Sequence, residues 1–255
     1  MFENIDALFA KLKKLPPLKS TSLERIMDDF MVSYTYNSNA IEGNTLTERE
    51  TYMVLKEDMT FNEKPLHYHM EAIGHRDAFL CIQKLAQSKT PVSEDVIKEI
   101  HSLVLINKAD AKGCYRDVNV YIGGSDVTLP DAQQVPERMK GLMKSYQKDM
   151  KDWHIVKRVA MFHLKFESIH PFIDGNGRMG RLILNLDLMR NGYPPINIKL
   201  KDRERYYYCL QAYQGSDENE LPMIQMVGEY LENALAERIA VLEKSKTING
   251  ADKER

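Results

Sequence analysis

The sequence is poor in features that mark several whole classes of protein. Cysteine occurs only three times in 255 residues, at Cys81, Cys114 and Cys209. An odd number at wide spacing suits neither a disulfide framework nor a zinc cluster. No apolar run approaches the roughly 20 residues that cross a bilayer, and the acidic N-terminus lacks a signal-peptide pattern. We therefore expect a cytoplasmic protein with reduced thiols and no membrane attachment.

Excess charge and the common phosphate-binding loop are also missing. The formal net charge is −2, which argues against general nucleic-acid binding. The sequence contains no Gly-x-x-x-x-Gly-Lys-Ser/Thr segment, which excludes ordinary P-loop chemistry. The chain does have an apolar content of 43%, enough for a substantial core.

Apolar residues recur at helical spacing along most of the chain, so the sequence predicts a mostly α-helical fold. The helices predicted in the first part cover residues 5–12, 23 to about 37, 48–56 and 66–85. Thr47 is a plausible capping residue for the third of these. The turn-forming segment 89–93 is the best boundary and separates an N-terminal helical region, residues 1–90, from the rest. We expect the two parts to pack as one body.

Residues 170–181 read HPFIDGNGRMGR and carry the most chemistry in the chain. His170 can take a proton from an attacking hydroxyl. Asp174 offers the hard oxygen ligand that suits Mg²⁺. Arg178 and Arg181 are three residues apart on one helix face and can fork onto phosphate oxygens. Together these residue types indicate a site that handles a nucleoside triphosphate.

The glycines of this run add a place for the phosphates. Gly175 and Gly177 allow backbone N–H groups to approach an anion closely. Helical patterns stop before the run and resume at Arg178, so the turn lies at a helix N-terminus. Unpaired N–H groups and the helix dipole favour anions there.

The segment 116–130 carries a β signal in an otherwise helical chain. Val118, Val120 and Ile122 alternate, a turn follows over 123–126, and the chain can return over 127–129. The pattern predicts a β-hairpin. An exposed strand edge of such a hairpin can pair with an extended segment of another protein.

The run 170–181 resembles the Fic family motif, His-x-Phe-x-Asp/Glu-Gly-Asn-Gly-Arg-x-x-Arg, at every specified position. The preceding Gly113-Cys114-Tyr115-Arg116 is similar to the family's lead-in to its hairpin, the flap. The resemblance covers roughly residues 91–235. It implies a Fic-fold helical bundle with a small β-hairpin flap. Residues 243–255, beyond it, are polar and charged, and we expect them to form a C-terminal tail. It also implies transfer of AMP from Mg-ATP to a Ser, Thr or Tyr hydroxyl of a target protein.

The resemblance assigns a role to each matching residue. It makes His170 the base and Asp174 the Mg²⁺ ligand. The residues that it places around the nucleotide are Gly175, Asn176, Gly177, Arg178, Gly180, Arg181, Tyr206, Tyr207 and Gln214. Gln214 stands where relatives have asparagine and carries the same amide on a longer stem. The flap residues expected beside the target are Tyr121, Ile122, Gly123 and Gly124.

Residues 38–43, Ser-Asn-Ala-Ile-Glu-Gly, resemble the family's inhibitory motif, Ser/Thr-x-x-x-Glu-Gly/Asn, here on an N-terminal helix. By that resemblance Ser38, Glu42 and Gly43 restrain the enzyme. A glutamate beside Arg181 would pair with it and occupy the charge meant for the γ-phosphate. The alternative is that residues 42–44 are a simple helix end.

Other functions remain open at this stage. The same site could remove AMP from a modified protein, with Glu42 positioning water, or the chain could be a nucleotide-binding regulatory module held inactive by Glu42. The motif also admits phosphocholine transfer. Gly177 stands where kinase-like relatives carry lysine, which disfavours phosphotransfer. The expected partners are ATP and a target protein, which could be a copy of this chain, and a homodimer remains open.

Overall fold

The computed structural model describes residues 2–17, 20–123, 127–215 and 217–251. Within these ranges the chain forms ten α-helices and two short 3₁₀ turns. The helices are α1 Glu3–Lys14, α2 Ser20–Ile41, α3 Glu48–Lys56, α4 Leu66–Gln87, α5 Glu94–Val104, α6 Val135–Lys148, α7 Ile155–Ile169, α8 Asn176–Arg190, α9 Arg203–Gln214 and α10 Leu221–Ala251. None of the helices in the described ranges is long and apolar enough to cross a membrane.

The prediction of a mostly α-helical fold is confirmed, and the ends of several helices have clear local causes. Thr47 caps α3: its side chain accepts from the N–H of Glu50, and the Glu50 side chain accepts from the N–H of Thr47. Ser93 accepts from the N–H of Val96 at the start of α5. Such side-chain caps satisfy N–H groups that have no partner within the helix.

Helix α2 is longer than predicted. The pattern from residue 23 to about 37 was expected to end there, but α2 runs to Ile41. A tight turn follows, in which Gly43 has φ +99°, a backbone conformation that suits glycine. The helix therefore carries Ser38 on its last turn, and Glu42 follows directly after its end.

Helices α7 and α8 lie at the centre of the molecule. Most residues of α8 are buried, and α4, α5 and α7 all pack against it. Phe79 and Ile82 of α4 belong to the same core cluster as Phe166 of α7 and Leu182 of α8. The N-terminal region and the motif thus share one core, which fixes α2 and α4 beside the start of α8.

The predicted hairpin is not seen as strands: no residue in the described parts of 116–130 forms a ladder, and 124–126 lie outside the described residues. The base of this segment is nonetheless closed. Arg116 donates to the carbonyl oxygens of Val118 and Pro130, at 3.1 and 2.6 Å. The side chain of Asn119 bonds both the Asp131 carboxylate and the N–H of Ala132. The hairpin therefore stays a prediction, with its two ends held together.

Candidate active site

The motif forms a tight loop between α7 and α8. His170 ends α7 in the left-handed region, with φ +50° and ψ +60°, which is uncommon for a residue with a Cβ. Asn176 bridges the loop, because its side chain accepts from the N–H of Phe172 at 2.9 Å and donates to the Phe172 carbonyl at 2.8 Å. The amide of Asn176 therefore shapes the loop just before the first turn of α8, whose N–H groups have no partner within the helix.

His101, a buried histidine on α5, packs against the same loop and bonds its backbone. The His101 ring stacks on Phe172 with centroids 3.6 Å apart. Its Nδ1 accepts from the N–H of Gly113 at 2.9 Å, so its Nε2 carries the proton and donates to the carbonyl of Asp174 at 3.0 Å. Burial lowers the pKa of His101 to about 4, so this arrangement persists at neutral pH.

His170 is held in place through its backbone. Arg116 donates from Nε to the His170 carbonyl at 2.8 Å. The imidazole Nδ1 is buried, has no hydrogen-bond partner in the described structure, and lies 3.8 Å from Oε2 of Glu167. Burial, and then the charge of Arg116, lowers the pKa of His170 to about 4. The ring is therefore neutral at pH 7, the form in which it can accept a proton.

Glu167 is an unusual neighbour for a base. It lies one helical turn before His170, is buried, and its Oε1 lacks a hydrogen-bond partner within the described structure. Burial, and then the nearby carboxylate of Glu42, raises the pKa of Glu167 to about 8. Glu167 is thus mostly protonated at neutral pH while Glu42 lies in the site.

The Asp174 carboxylate faces the mouth of the site. Its Oδ1 accepts from the N–H of Gly175 at 2.6 Å and from Arg178 Nη2 at 3.2 Å. Its Oδ2 lies 2.7 Å from Nζ of Lys108. Burial opposes ionisation, but Arg178, Lys108 and the Gly175 N–H together hold the pKa of Asp174 below its usual value.

The donor set fits a metal that arrives with phosphates. No cluster of three or more His, Cys, Asp or Glu side chains suited to a metal occurs in the described ranges. Mg²⁺ commonly takes one or two carboxylates and completes its shell with phosphate oxygens and water. A lone, partly exposed Asp174 beside a helix N-terminus matches that demand.

Arg178 is one of the two motif arginines, and both are buried. It is only 3% exposed, and its Nε and Nη1 have no hydrogen-bond partner in the described structure. Its nearest carboxylate besides Asp174 is Glu71 of α4, 3.6 Å from Nη1. Buried donors without hydrogen-bond partners are rare, and an anion bound here would accept hydrogen bonds from these N–H groups.

Arg181 is fully engaged with α2 and α9. Its Nη2 donates to Oε1 of Glu42 and to the carbonyl of Ser38, both at 2.8 Å, and its Nε donates to Oγ of Ser38 at 3.0 Å. Its Nη1 donates to the hydroxyl of Tyr206 at 3.2 Å. The motif arginine and the predicted inhibitory residues Ser38 and Glu42 are therefore in direct contact.

Glu42 lies over the start of α8. A Cβ added to Gly177 would collide with Oε1 of Glu42, so the glutamate carboxylate sits against the glycine turn. The turn that carries it is tied to α4, because Asn44 donates to Glu71 Oε2 at 2.8 Å. A carboxylate thus occupies the neighbourhood where the sequence predicts phosphate.

Several predicted nucleotide residues lie apart from this cluster or serve packing. Tyr206 is buried beneath Arg181, and Tyr207 donates to the carbonyl of Ile41 at 3.0 Å. A Cβ on Gly180 would collide with the His163 ring, which explains the glycine there by helix packing. Their contacts to a nucleotide stay predictions.

Gln214 and the flap residues lie further out. Gln214 lines a cavity of about 750 Å³ together with residues 127–131 and the last turn of α7. Tyr121 is 92% exposed, Ile122 is partly buried, and Gly123 has open space around its Cα. Gly124 lies outside the described residues. Their roles stay predictions.

Sequence reasoning missed three charged residues of the site: Arg116, Glu167 and Lys108. Glu167 is three residues before His170 on one helix, a spacing that could have indicated the contact. Arg116 belongs to the sequence lead-in to the flap, which does not indicate its contact with the His170 carbonyl. No sequence pattern pointed to Lys108, because its contact with Asp174 spans 66 residues of chain.

The chain is similar in sequence to known proteins over most of its length. The Fic/DOC family model matches residues 91–188. The protein adenylyltransferase fic-1 of Caenorhabditis elegans is 33% identical over 240 residues, which cover 91% of this chain and 46% of the relative. The protein adenylyltransferase Fic of Nematostella vectensis is 33% identical over 239 residues, covering 92% and 55%. The chain spans about half the length of these curated relatives.

Solved structures show the same fold. A Fic domain-containing signalling protein from Bacteroides thetaiotaomicron has a TM-score of 0.85 at 30% identity, covering 94% of this chain and 97% of that one. Fic-1, residues 134–508, from C. elegans has a TM-score of 0.83 at 29% identity, covering 95% and 73%. The chain therefore belongs to the Fic/DOC family, has the all-helical Fic fold, and is a homologue of protein adenylyltransferases.

Proposed function

We propose that this protein is a protein adenylyltransferase that transfers AMP from Mg-ATP to a side-chain hydroxyl of a target protein. The carrying observation is the grouping at the start of α8. A neutral His170 and a partly exposed Asp174 lie on the loop between α7 and α8, and two buried arginines follow on the first two turns of α8. The family relationship supplies the reaction class; the grouping supplies residues able to perform it.

In the proposed reaction, His170 accepts the proton of the target hydroxyl as that oxygen attacks the α-phosphorus. The new O–P bond forms while the bond from the α-phosphorus to the bridging oxygen breaks, and pyrophosphate leaves. Proton transfer by a positioned histidine typically contributes about 10²–10⁴-fold. The low pKa of His170 keeps it unprotonated before the attack.

The remaining residues bind and orient the triphosphate. Asp174 would hold Mg²⁺, which neutralises charge on the phosphates during transfer. The N–H groups at the start of α8 would meet phosphate oxygens, aided by the helix dipole. Arg178 has buried donors without partners, and Arg181 has donors that Glu42 now occupies. Both arginines suit bidentate contact with phosphate.

We further propose that Glu42 restrains this reaction. Its carboxylate pairs with Arg181 at 2.8 Å and lies against Gly177, so it competes with the outer phosphates for the same charge. The pair is partly shielded, since Arg181 is 2% and Glu42 33% exposed. A charge-assisted bond in such a place is worth roughly 1.5–3 kcal/mol.

Removal of AMP from a modified protein is the second candidate. It rests on the same Glu42, whose carboxylate is partly exposed beside the phosphate-binding turn and could position a water molecule there. A permanently inactive nucleotide-binding module is the third, and it predicts nucleotide binding without any transfer.

Radiolabelled ATP separates these functions. Glu42→Gly protein would be incubated with Mg²⁺ and either α-labelled or γ-labelled ATP, alone and with a cell lysate. Retention of the α label only is expected and supports adenylyl transfer; retention of the γ label contradicts it. Loss of label from an AMP-modified protein incubated with the wild-type chain, which keeps Glu42, favours AMP removal. Tight nucleotide binding with no label retained or released favours the inactive module.

A further inference from the structure

Asp174 has one oxygen that is fixed by its own loop and one that is not. Oδ1 is held by the N–H of Gly175 and by Arg178, which is buried and cannot leave easily. Oδ2 is held by Lys108, which stands on the loop after α5. The second oxygen, Oδ2, therefore already has a cation on it.

The Lys108 ammonium is much more exposed to solvent than the Arg178 guanidinium, so it can leave Asp174 more easily. The Lys108 side chain is 50% exposed and the Asp174 side chain 38% exposed. Ion pairs of this exposure contribute about 0.2–1 kcal/mol, since water and salt screen them. A divalent ion that also gains phosphate ligands can displace such a lysine, whereas a divalent ion alone gains much less.

We propose that Lys108 is a resident counter-ion of Asp174 that Mg²⁺ must displace, so that the metal is admitted mainly together with the nucleotide. This inference rests on the proposed function only in taking Asp174 as the metal ligand. An ammonium 2.7 Å from Oδ2 and a metal ion bound to the same oxygen repel each other and cannot both occupy that place. Lys108 thereby weakens binding of free metal.

The test measures metal binding without nucleotide or activity. Mn²⁺, which serves as a spectroscopic substitute for Mg²⁺, is titrated into the nucleotide-free protein and free Mn²⁺ is followed by electron paramagnetic resonance. The variants are Lys108→Met and, as a matched loss of charge on the same exposed loop, Lys112→Met. Asp174→Asn, alone and combined with Lys108→Met, locates the binding site.

The expected result is about 1.4- to fivefold tighter Mn²⁺ binding by Lys108→Met at low salt, a ratio that shrinks as salt screens the lysine. Lys112→Met should bind as the wild type does. Asp174→Asn should remove the tightened site from the double variant. Equal or weaker binding by Lys108→Met overturns the role of Lys108.

Two further outcomes separate this inference from the proposed function. Tightened binding that survives in the double variant also overturns the inference, because the metal would then lie elsewhere. Mn²⁺ binding that Asp174→Asn leaves unchanged in every background contradicts Asp174 as the metal ligand, and the proposed metal site falls with it. A loss of binding in Asp174→Asn with no effect of Lys108→Met refutes only the lysine.

Discussion

His170 combines a strained backbone with a buried, neutral imidazole. Its left-handed conformation is held by Arg116, which bonds its carbonyl, and its low pKa follows first from burial. This conformation ends α7 at the loop that carries Asp174. The residue is therefore held for a task that packing alone does not explain.

Replacing the base should abolish transfer and spare nucleotide binding. We expect His170→Ala to lower the rate of AMP incorporation by about 10²–10⁴-fold, the typical contribution of a general base. ATP affinity, measured by calorimetry, should change little because the arginines and the helix N-terminus remain. His67→Ala, at an exposed position on α4, is the control. Wild-type rates in His170→Ala would remove the histidine from the mechanism.

Glu167 makes stability depend on pH in a defined direction. In the unfolded chain a glutamate has a pKa near 4.3, whereas burial and Glu42 raise it to about 8 in the folded protein. Between these values the folded state holds a proton that the unfolded state has released. The contribution of Glu167 to stability is therefore fully present at low pH and is lost as pH rises from about 4.3 to about 8.

Glu167→Gln should remove the decrease in stability that ionisation of Glu167 causes as pH rises. We expect the variant to gain stability over the wild type by roughly 1.4 kcal/mol per pH unit as pH rises from 5 to 8, because the two pKa values bracket this range. Thermal unfolding at a series of pH values measures the gap. Glu137→Gln, at an exposed position on α6, should show no such trend. A constant gap across this range would mean that Glu167 does not titrate on folding.

At the scale of elements, the end of α2 and the residue after it are bonded to the start of α8 through Arg181. Ser38 and Glu42 hold three of the four donor contacts of Arg181, and Asn44 ties the following turn to α4. Each contact is modest, but they share one guanidinium and one rigid helix end. Releasing Glu42 should therefore change the site more than it changes the fold.

Glu42→Gly should raise AMP incorporation by about 10- to 150-fold. The range follows from roughly 1.5–3 kcal/mol for the pair, at about 1.4 kcal/mol per tenfold, if the pair alone holds the site shut. Intact-mass measurement of AMP on the chain and on lysate proteins checks it. Glu63→Gly, in an exposed turn before α4, should behave as the wild type does. Equal incorporation in both variants would reduce residues 42–44 to a helix end.

Local elements were predictable where their causes are local. The bounds of α3 followed from Thr47 and the apolar spacing after it, and the structure gives the same bounds. The motif residues could be predicted because the reactive side chains lie close together in the sequence, over residues 170–181. The end of α2 was missed because nothing in residues 38–41 opposes a helix, and its stop depends on Gly43.

Contacts between distant elements were not predictable in the same way. Lys108 reaches Asp174, and Arg116 reaches the His170 carbonyl, only because α5 and its following loop pack beside α8. Helical spacing tells which face of a helix is apolar, but not which other helix covers it. The Glu42–Arg181 pair was predicted only through the family resemblance of both segments.

At the scale of the whole molecule, the boundary near residue 90 does not divide the core. Helix α4 comes before it, yet Phe79 and Ile82 are fully buried in the cluster that includes Leu182 of α8 and Leu231 of α10. Removing α4 would expose the side of α8 that carries Arg178 and Arg181. The segment that the family model matches therefore depends on helices that precede it.

Two truncated chains test this dependence. Residues 91–255 lack α4, and we expect no cooperative thermal transition, since each large buried side chain returned to water costs roughly 1.5–3 kcal/mol against a total stability of about 5–15 kcal/mol. Residues 15–255 keep α2 to α4 and lose only α1, whose buried residue is Ile5. That chain should keep a cooperative transition at a lower Tm, monitored by circular dichroism and calorimetry. A cooperative transition in the shorter chain, at the same Tm as the longer one, would show that the core closes without α4.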